Sequence, residues 1–360
     1  MNLFFTQKKI AGILTVLPSH EQSFDEDMKN FVSSPARSLK LKLVMGYDRH
    51  RLAPAHITVS DMAVYGLQHL FAQGLLQADE FDALIVVTQS PDHFIPPTSN
   101  LIQGRLKLKR DLFCMDINQG CAGYLIGLFQ SFMLLEQPNI HKVVLVAGDV
   151  LSHKVSPKDR NSYPLIGDAV SITVIERATE PNEIYANLQM DGSQAEVLMI
   201  PAGGFRLPSS PETAILEDDG DNNLRAKDHL RMDGAAVFNF VQLEVPPMIN
   251  ALLQSAGRQA EEVDAFVFHQ PNRFMLHKLA EAMQVPKDKM PSNVVENYGN
   301  SSCATIPMAL THNFSKDLEN RSLTLCLAGF GVGLTWSSML LSVGPLQFCQ
   351  QIDFPCEENA

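Results

Sequence analysis

Basic charge is scarce in this chain. Against 40 Asp and Glu stand 28 Lys and Arg, a formal net charge of −12 at pH 7. With no positive excess to neutralise phosphates, nucleic acid is excluded as the main partner. Cysteine is also sparse, six in 360 residues without regular spacing, which excludes a disulfide framework and a paired CxxC metal site. Trp336 is the only tryptophan. No apolar run reaches about 18 residues, the length of a membrane span. The start, Met1 to Ile10, lacks the basic and then apolar pattern of a secretion signal. The expectation is a cytoplasmic protein without a membrane span. Hydrophobic residues make up 45% and charged residues 19%, an ordinary enzyme composition in a chain long enough for two domains or one two-part domain.

Strand and helix signals alternate along the chain. Lys9 to Pro18 reads as a first strand, and Met62, Val64, Leu67, Leu70, Phe71 and Leu75 suit a helix capped at Ser60. Phe81–Thr88, a short buried strand at Asp111–Met115, His141–Gly148 and Ala169–Ile175 follow as strands, some of them continuous apolar runs of the kind found in sheets covered on both faces. The charge-rich joint from Arg177 to Asn182 divides the chain. Beyond it the same grammar returns, with strands at Ile184–Met190, Ala195–Ile200, Val263–His269, Leu323–Gly329 and Leu334–Val343, and a long helix from Met232 to Ala256. The acidic run Glu217 to Asp221 reads as a solvated loop. The result is an α/β chain of two similar halves, 1–178 and 179–345, followed by a tail at 346–360.

Chemistry concentrates at four places. In Asp116-Ile-Asn-Gln-Gly-Cys-Ala-Gly-Tyr124, Cys121 sits between a strand and a buried helix. Unpaired N–H groups and the helix dipole favour a thiolate there, and Gly120 and Gly123 leave room beside the sulfur. The competing reading is a buried structural cysteine. An activated thiol would be alkylated well below about pH 8. His269 closes a buried strand, where open α/β sheets place their chemistry, or is a core histidine. Asn300 lies in a small-residue turn and is a candidate cap, turn or functional carboxamide. Ala328-Gly-Phe-Gly-Val-Gly333 offers backbone N–H groups to an oxyanion or makes a tight turn.

These motifs, in this order, resemble the β-ketoacyl-acyl-carrier-protein synthase III branch of the thiolase-like superfamily. The resemblance runs from Lys9 to Val343 on Gln119-Gly-Cys-Ala-Gly123, Gly148-Asp-Val-Leu151, Ile166-Gly-Asp-Ala169 and Met232-Asp-Gly-Ala-Ala-Val-Phe238. It continues on His269-Gln-Pro-Asn272, Tyr298-Gly-Asn-Ser-Ser302 and Phe330-Gly-Val-Gly-Leu-Thr-Trp336. It implies a five-layered αβαβα thiolase-like fold of two duplicated halves, as a homodimer. It implies Cys121 as nucleophile, His269 and Asn300 as its catalytic partners, and the N–H groups of Cys121 and Gly331 as an oxyanion hole. The implied reaction loads an acyl group from a thioester onto Cys121, then condenses it with malonyl-acyl carrier protein as CO₂ leaves. Acyl carrier protein is the implied partner, coenzyme A a possible acyl carrier, and no metal or other cofactor is needed.

The chain departs from the family at the substrate entrance. The adenine-stacking tryptophan that many members carry is missing, and Phe274 stands where an arginine is common, with Arg273 beside it. Arg49, Arg160 and Arg273 are candidate phosphate contacts, with Asn272 as a further substrate contact. Phe94 and Ile95, in the loop that closes the acyl pocket across the dimer in relatives, are candidates for setting chain length. Three other functions compete: a specialised-metabolite ketosynthase or cyclase joining two acyl chains, acyl transfer to an oxygen or nitrogen acceptor, and a non-catalytic subunit. The intact Cys121, His269 and Asn300 disfavour the last.

Overall fold

The computed structural model describes residues 1–220 and 223–356, so Asp221, where the acidic run ends, and tail residues 357–360 lie outside the described residues. The first half contains strands β1 (Asn2–Thr6) and β2 (Lys8–Pro18), helix α1 (Pro35–Met45), strand β3 (Arg49–Arg51) and helix α2 (Val59–Ala72). It continues with β4 (Ala83–Val87), α3 (Thr98–Arg105), β5 (Phe113–Ile117), α4 (Gly123–Leu134), β6 (Lys142–Asp149) and β7 (Ala169–Arg177). The second half has β8 (Glu183–Met190), α5 (Gly234–Ser255), β9 (Ala265–Phe268), α6 (Arg273–Met283), α7 (Thr305–Asn320), β10 (Leu323–Gly331), β11 (Thr335–Val343) and β12 (Phe348–Phe354).

Two sheets carry the architecture. Six strands run in the order β12-β2-β7-β6-β4-β5, and five in the order β1-β8-β11-β10-β9. Helices α4 and α7 lie between the sheets, where Leu125, Leu128, Phe132, Ile306 and Leu310 share one core with Ile13, Val87, Leu145, Leu325 and Met339. Helices α2 and α3 cover the outer face of the six-stranded sheet, and α5 and α6 that of the five-stranded one. The layers are therefore α, β, α, β, α. The all-round apolar character of α4, buried at Leu125, Leu128, Phe129 and Phe132, follows from its central place between two sheets. Helix α5 is apolar and long enough to span a membrane by length and composition. Here its Val241, Val245, Ile249 and Leu252 are buried in the core beneath it.

Four expectations change. The halves exchange their ends: β1 pairs antiparallel with β8 in the second sheet, and β12 pairs parallel with β2 in the first. Part of the supposed tail is thus a strand, with Phe348 and Cys349 buried in it. The strand at Asp111–Met115 begins at Phe113 and is an edge, half-buried at best, because β5 has a neighbour on one side only. Helix α2 starts two residues earlier than the expected cap at Ser60 implies. Thr58 caps it in a reciprocal box with Asp61, while Ser60 bonds Asp92. The strand expected at Ala195–Ile200 is a 3₁₀ turn followed by two strand residues, Leu198–Met199.

Candidate active site

Cys121 lies in the tight turn between β5 and α4, closed by a 2.6 Å bond from the Gly123 N–H to the Gly120 carbonyl. The end of β10 packs directly on this turn. A Cβ at Gly329 would lie 2.7 Å from the Ala122 Cα, and one at Gly331 would lie 2.7 Å from the Cys121 sulfur. Glycine at both positions is what lets the second half reach the nucleophile of the first. The N–H aimed at the sulfur, besides that of Cys121 itself, belongs to Val332. Gly331, expected as an oxyanion donor, is not among the N–H groups aimed at the sulfur, and its lack of a side chain is what lets the strand approach. The Val332 side chain fits because a Cβ on Gly120 would lie 2.4 Å from it.

His269 follows β9 and is buried, its ring edge-on to Phe330 at 5.7 Å. Its Nδ1 lies 2.7 Å from the Thr305 hydroxyl, which donates its own proton to the Ser302 carbonyl at 3.0 Å. With that proton committed, the hydroxyl accepts from Nδ1–H, and the neutral ring keeps its lone pair on Nε2. Burial drives His269 down to about 3, against the opposing pull of the Ser302 carbonyl. Asn300 is 7% exposed, and its Oδ1 accepts from the Ser302 N–H at 2.9 Å, leaving the side-chain NH₂ to donate elsewhere.

Ser302 is the residue that sequence reasoning passed over. It joins all three others: its N–H holds Asn300, its carbonyl holds Thr305 beneath His269, and its hydroxyl faces Cys121 and Asp149. That hydroxyl is buried and, among the described residues, has no hydrogen-bond partner of good geometry. Its backbone sits at φ +53°, a left-handed conformation uncommon for serine and concentrated at functional sites. A serine in a run of small residues gives no sequence signal for this. The nearest sign was its place in Tyr298–Ser302.

The thiol is not pre-ionised. Burial pushes Cys121 up to about 11. The Val332 N–H, its own N–H and the Ser302 hydroxyl pull it down, while the Asp149 carboxylate pushes it further up. Asp149, at the end of β6, is itself raised to about 6 by burial, although the Gln89 N–H (2.7 Å), Ser90 Oγ (3.0 Å) and Thr88 Oγ1 (3.1 Å) all bond its Oδ1. The resting pair is thus neutral thiol and neutral imidazole, contrary to the expectation of an activated thiolate. Iodoacetamide alkylation of the free enzyme should keep rising with pH, without a plateau below about pH 10. Asp149→Asn keeps the Oδ1 acceptor and removes the anion, so it should move that rise to lower pH. A wild-type plateau near neutrality would contradict this reading.

The candidate substrate residues are spread out and mostly engaged. Arg49, exposed on β3, pairs with Glu21 at 3.4 Å and approaches Asp48 at 3.9 Å. Arg160 is only 6% exposed, and its backbone N–H donates to the Asn223 side-chain oxygen at 3.0 Å. Arg273 bridges Glu296 at 3.3 Å and the Leu43 carbonyl at 2.7 Å, tying α6 to α1. Asn272 caps α6, its side-chain oxygen accepting from the Met275 N–H at 2.8 Å. Phe94 and Ile95 are 70% and 85% exposed, and Phe94 rests on Phe205 with ring centroids 5.4 Å apart. Among the described residues, no group of three or more His, Cys, Asp or Glu is placed to hold a metal ion.

Comparison with known proteins agrees with the motif order. Residues 115–192 match the family model for 3-oxoacyl-[acyl-carrier-protein (ACP)] synthase III, and residues 253–343 match the model for its C-terminal part. A Campylobacter jejuni relative, named putative 3-oxoacyl-[acyl-carrier-protein] synthase 3, is 33% identical over 348 residues, covering 95% of this chain and 96% of its own. The β-ketoacyl-[acyl-carrier-protein] synthase III of Streptococcus uberis is 30% identical over 300 residues, covering 83% and 88%. The crystal structure of a 3-oxoacyl-(acyl-carrier protein) synthase from Burkholderia xenovorans superposes with a TM-score of 0.90 at 34% identity, covering 98% of this chain and 99% of that one. The chain belongs to the 3-oxoacyl-[acyl-carrier-protein] synthase III family, thiolase-like condensing enzymes that transfer acyl groups.

Proposed function

We propose that this enzyme loads an acyl group from a thioester onto Cys121 and condenses it with malonyl-acyl carrier protein, through His269 and Asn300. The observation that carries the reading is the Ser302 hub, which ties thiol, imidazole and carboxamide to one residue. In the loading step the Cys121 sulfur attacks the thioester carbonyl while its proton passes to the His269 Nε2 lone pair. The N–H groups of Cys121 and Val332 receive the oxyanion. The proton then leaves on the departing thiol, so the ring ends neutral.

In the second step the malonyl C–C bond breaks and CO₂ departs. The electron pair moves toward the thioester oxygen, where the Asn300 NH₂ donates a hydrogen bond. His269 donates there from Nε2 after its Nδ1 proton is lost to water and Nε2 takes one up from water, a tautomer that the Thr305 hydroxyl supports by turning from Ser302 to Nδ1. The enolate carbon attacks the acyl-Cys121 carbonyl, forming the new C–C bond and releasing the thiolate. Asn300 supports condensation over transfer to oxygen or nitrogen, since only a carbanion route needs a donor at that oxygen. The setting is cytoplasmic, with no cofactor beyond the two thioesters. The open edge of β5 and the exposed Phe94 and Ile95 support a homodimer closing the acyl pocket. Arg49, Arg160 and Arg273 are the candidate phosphate contacts, Arg160 being the most buried of the three.

The test is intact-protein mass after incubation with acetyl-, butyryl- and octanoyl-CoA and the matching acyl-carrier proteins, then malonyl-carrier protein. A mass gain removed by the second substrate, with CO₂ release, is expected. A gain without CO₂ release would assign simple acyl transfer instead.

A further inference from the structure

Outside the reacting groups, the chain buries an imidazole and a carboxylate with no role in the chemistry above. His50, on β3, is 1% exposed, and Asp27 is 0% exposed. The His50 Nε2 lies 3.3 Å from the Asp27 Oδ2, and among the described residues neither atom has a hydrogen-bond partner. The other carboxylate oxygen of Asp27 accepts from Gln22, whose amide also donates to the Tyr163 hydroxyl at 3.3 Å. Tyr163 in turn packs edge-on to the His50 ring at 5.5 Å. Burying two such groups is costly unless each is held.

The far side of the ring reaches the active site. His50 Nδ1 lies 2.6 Å from the Ile166 carbonyl, and because a carbonyl only accepts, Nδ1 carries the proton. Ile166 forms a β-bridge with Asn300. Within it the Asn300 N–H donates to the Leu165 carbonyl at 2.7 Å, and the Gly167 N–H donates to the Asn300 carbonyl at 3.1 Å. The backbone of Asn300 is thus stitched to residues 165–167, and that segment hangs from His50. The His50 Cβ also packs close to the residue before Asn300, since a Cβ at Gly299 would lie 2.9 Å from it. The next residue along, Asp168, donates its N–H to the Arg51 carbonyl at 2.8 Å, so strand and segment are joined at two points.

We propose that the Asp27–His50 pair is a positioning pair for Asn300. Asp27 backs the ring across 3.3 Å at Nε2, Nδ1–H fixes the Ile166 carbonyl, and the bridge from Ile166 sets the depth at which the Asn300 carboxamide meets the malonyl thioester oxygen. The inference rests on the role proposed above for Asn300. It assigns the pair to the decarboxylative half-reaction and not to loading, because the contacts that hold Cys121 come from β10 and Ser302.

The experiment compares the two half-reactions in the full-length enzyme. Acyl-Cys121 formation is followed by mass with the acyl-CoA that loads the wild type fastest, and CO₂ release is followed with malonyl-carrier protein. The double variant Asp27→Leu with His50→Phe replaces the pair by hydrocarbon of similar volume and leaves no unpaired charge. It should release CO₂ at least about tenfold more slowly, with loading within about twofold of wild type. His50→Asn, which keeps an N–H within reach of the Ile166 carbonyl, should recover to within about threefold. His50→Ser serves if the double variant does not fold, with the same split expected. Equal loss of both half-reactions, or no loss of CO₂ release in a folded variant, overturns the proposal. Asn300→Ala is the control. If it leaves CO₂ release intact, the role assigned to Asn300 fails first. If it alone reduces CO₂ release, only the positioning pair fails.

Discussion

Cys121→Ala is expected to take up no acyl group from any thioester and to lower condensation by at least about 10³-fold, the scale of losing a nucleophile. The variant should fold, because alanine keeps the Cβ and the turn is closed by backbone, from the Gly123 N–H to the Gly120 carbonyl. Asn300 and His269 remain in place, so slow CO₂ release from malonyl-carrier protein should persist without product. That uncoupling is the informative readout. Condensation would vanish with the sulfur, while decarboxylation reports the groups held by Ser302 and Thr305. His269→Ala should show the converse in part, slowing loading as well, since no Nε2 is left to take the thiol proton. Intact mass and CO₂ release, measured side by side, check both. Product formation by Cys121→Ala would remove the acyl-enzyme from the mechanism.

Gly167→Ala is expected to cost roughly 2–4 kcal/mol of stability, at the upper end for overpacking. The added Cβ would lie 2.0 Å from the Tyr298 carbonyl oxygen and 3.0 Å from the Gly299 Cα. Both obstacles are backbone, so no side chain can swing aside. Relief requires moving residues 298–300, and the Gly167 N–H bond to the Asn300 carbonyl would go with them. Activity should therefore fall further than stability alone explains. Gly104→Ala is the matched control, a glycine inside α3 with nothing within 4 Å of the new Cβ. It should be neutral or stabilising by about 0.5–1 kcal/mol through helix propensity. Thermal denaturation of the two variants checks the contrast. Equal melting points would mean that the 167–300 contact yields without cost.

Much of this was legible in advance for physical reasons. Continuous apolar runs such as Ala83–Val87 and Val143–Ala147 can only be strands covered on both faces, and they are buried throughout. An apolar helix with no polar stripe, such as α4, can only be central. Cys121 stood out for the glycines at its strand-to-helix joint, His269 for closing a buried strand, and Asn300 for its turn of small residues.

The amino-acid sequence by itself determined the layered α/β class, the family, and which side chains are available for chemistry. Those follow from local periodicity and motif order, which survive in one dimension. Tertiary structure alone decided the rest, because it depends on what lies across a contact. It exchanged β1 and β12 between the sheets and turned β5 into an open edge. It aimed the Val332 N–H, not that of Gly331, at the sulfur, and enclosed Arg160. It left the thiol high and the imidazole low, since burial outweighs the helix end and local hydrogen bonds at Cys121 and His269. It also made Ser302 and His50, unremarked in the sequence, the residues on which the geometry of the site hangs.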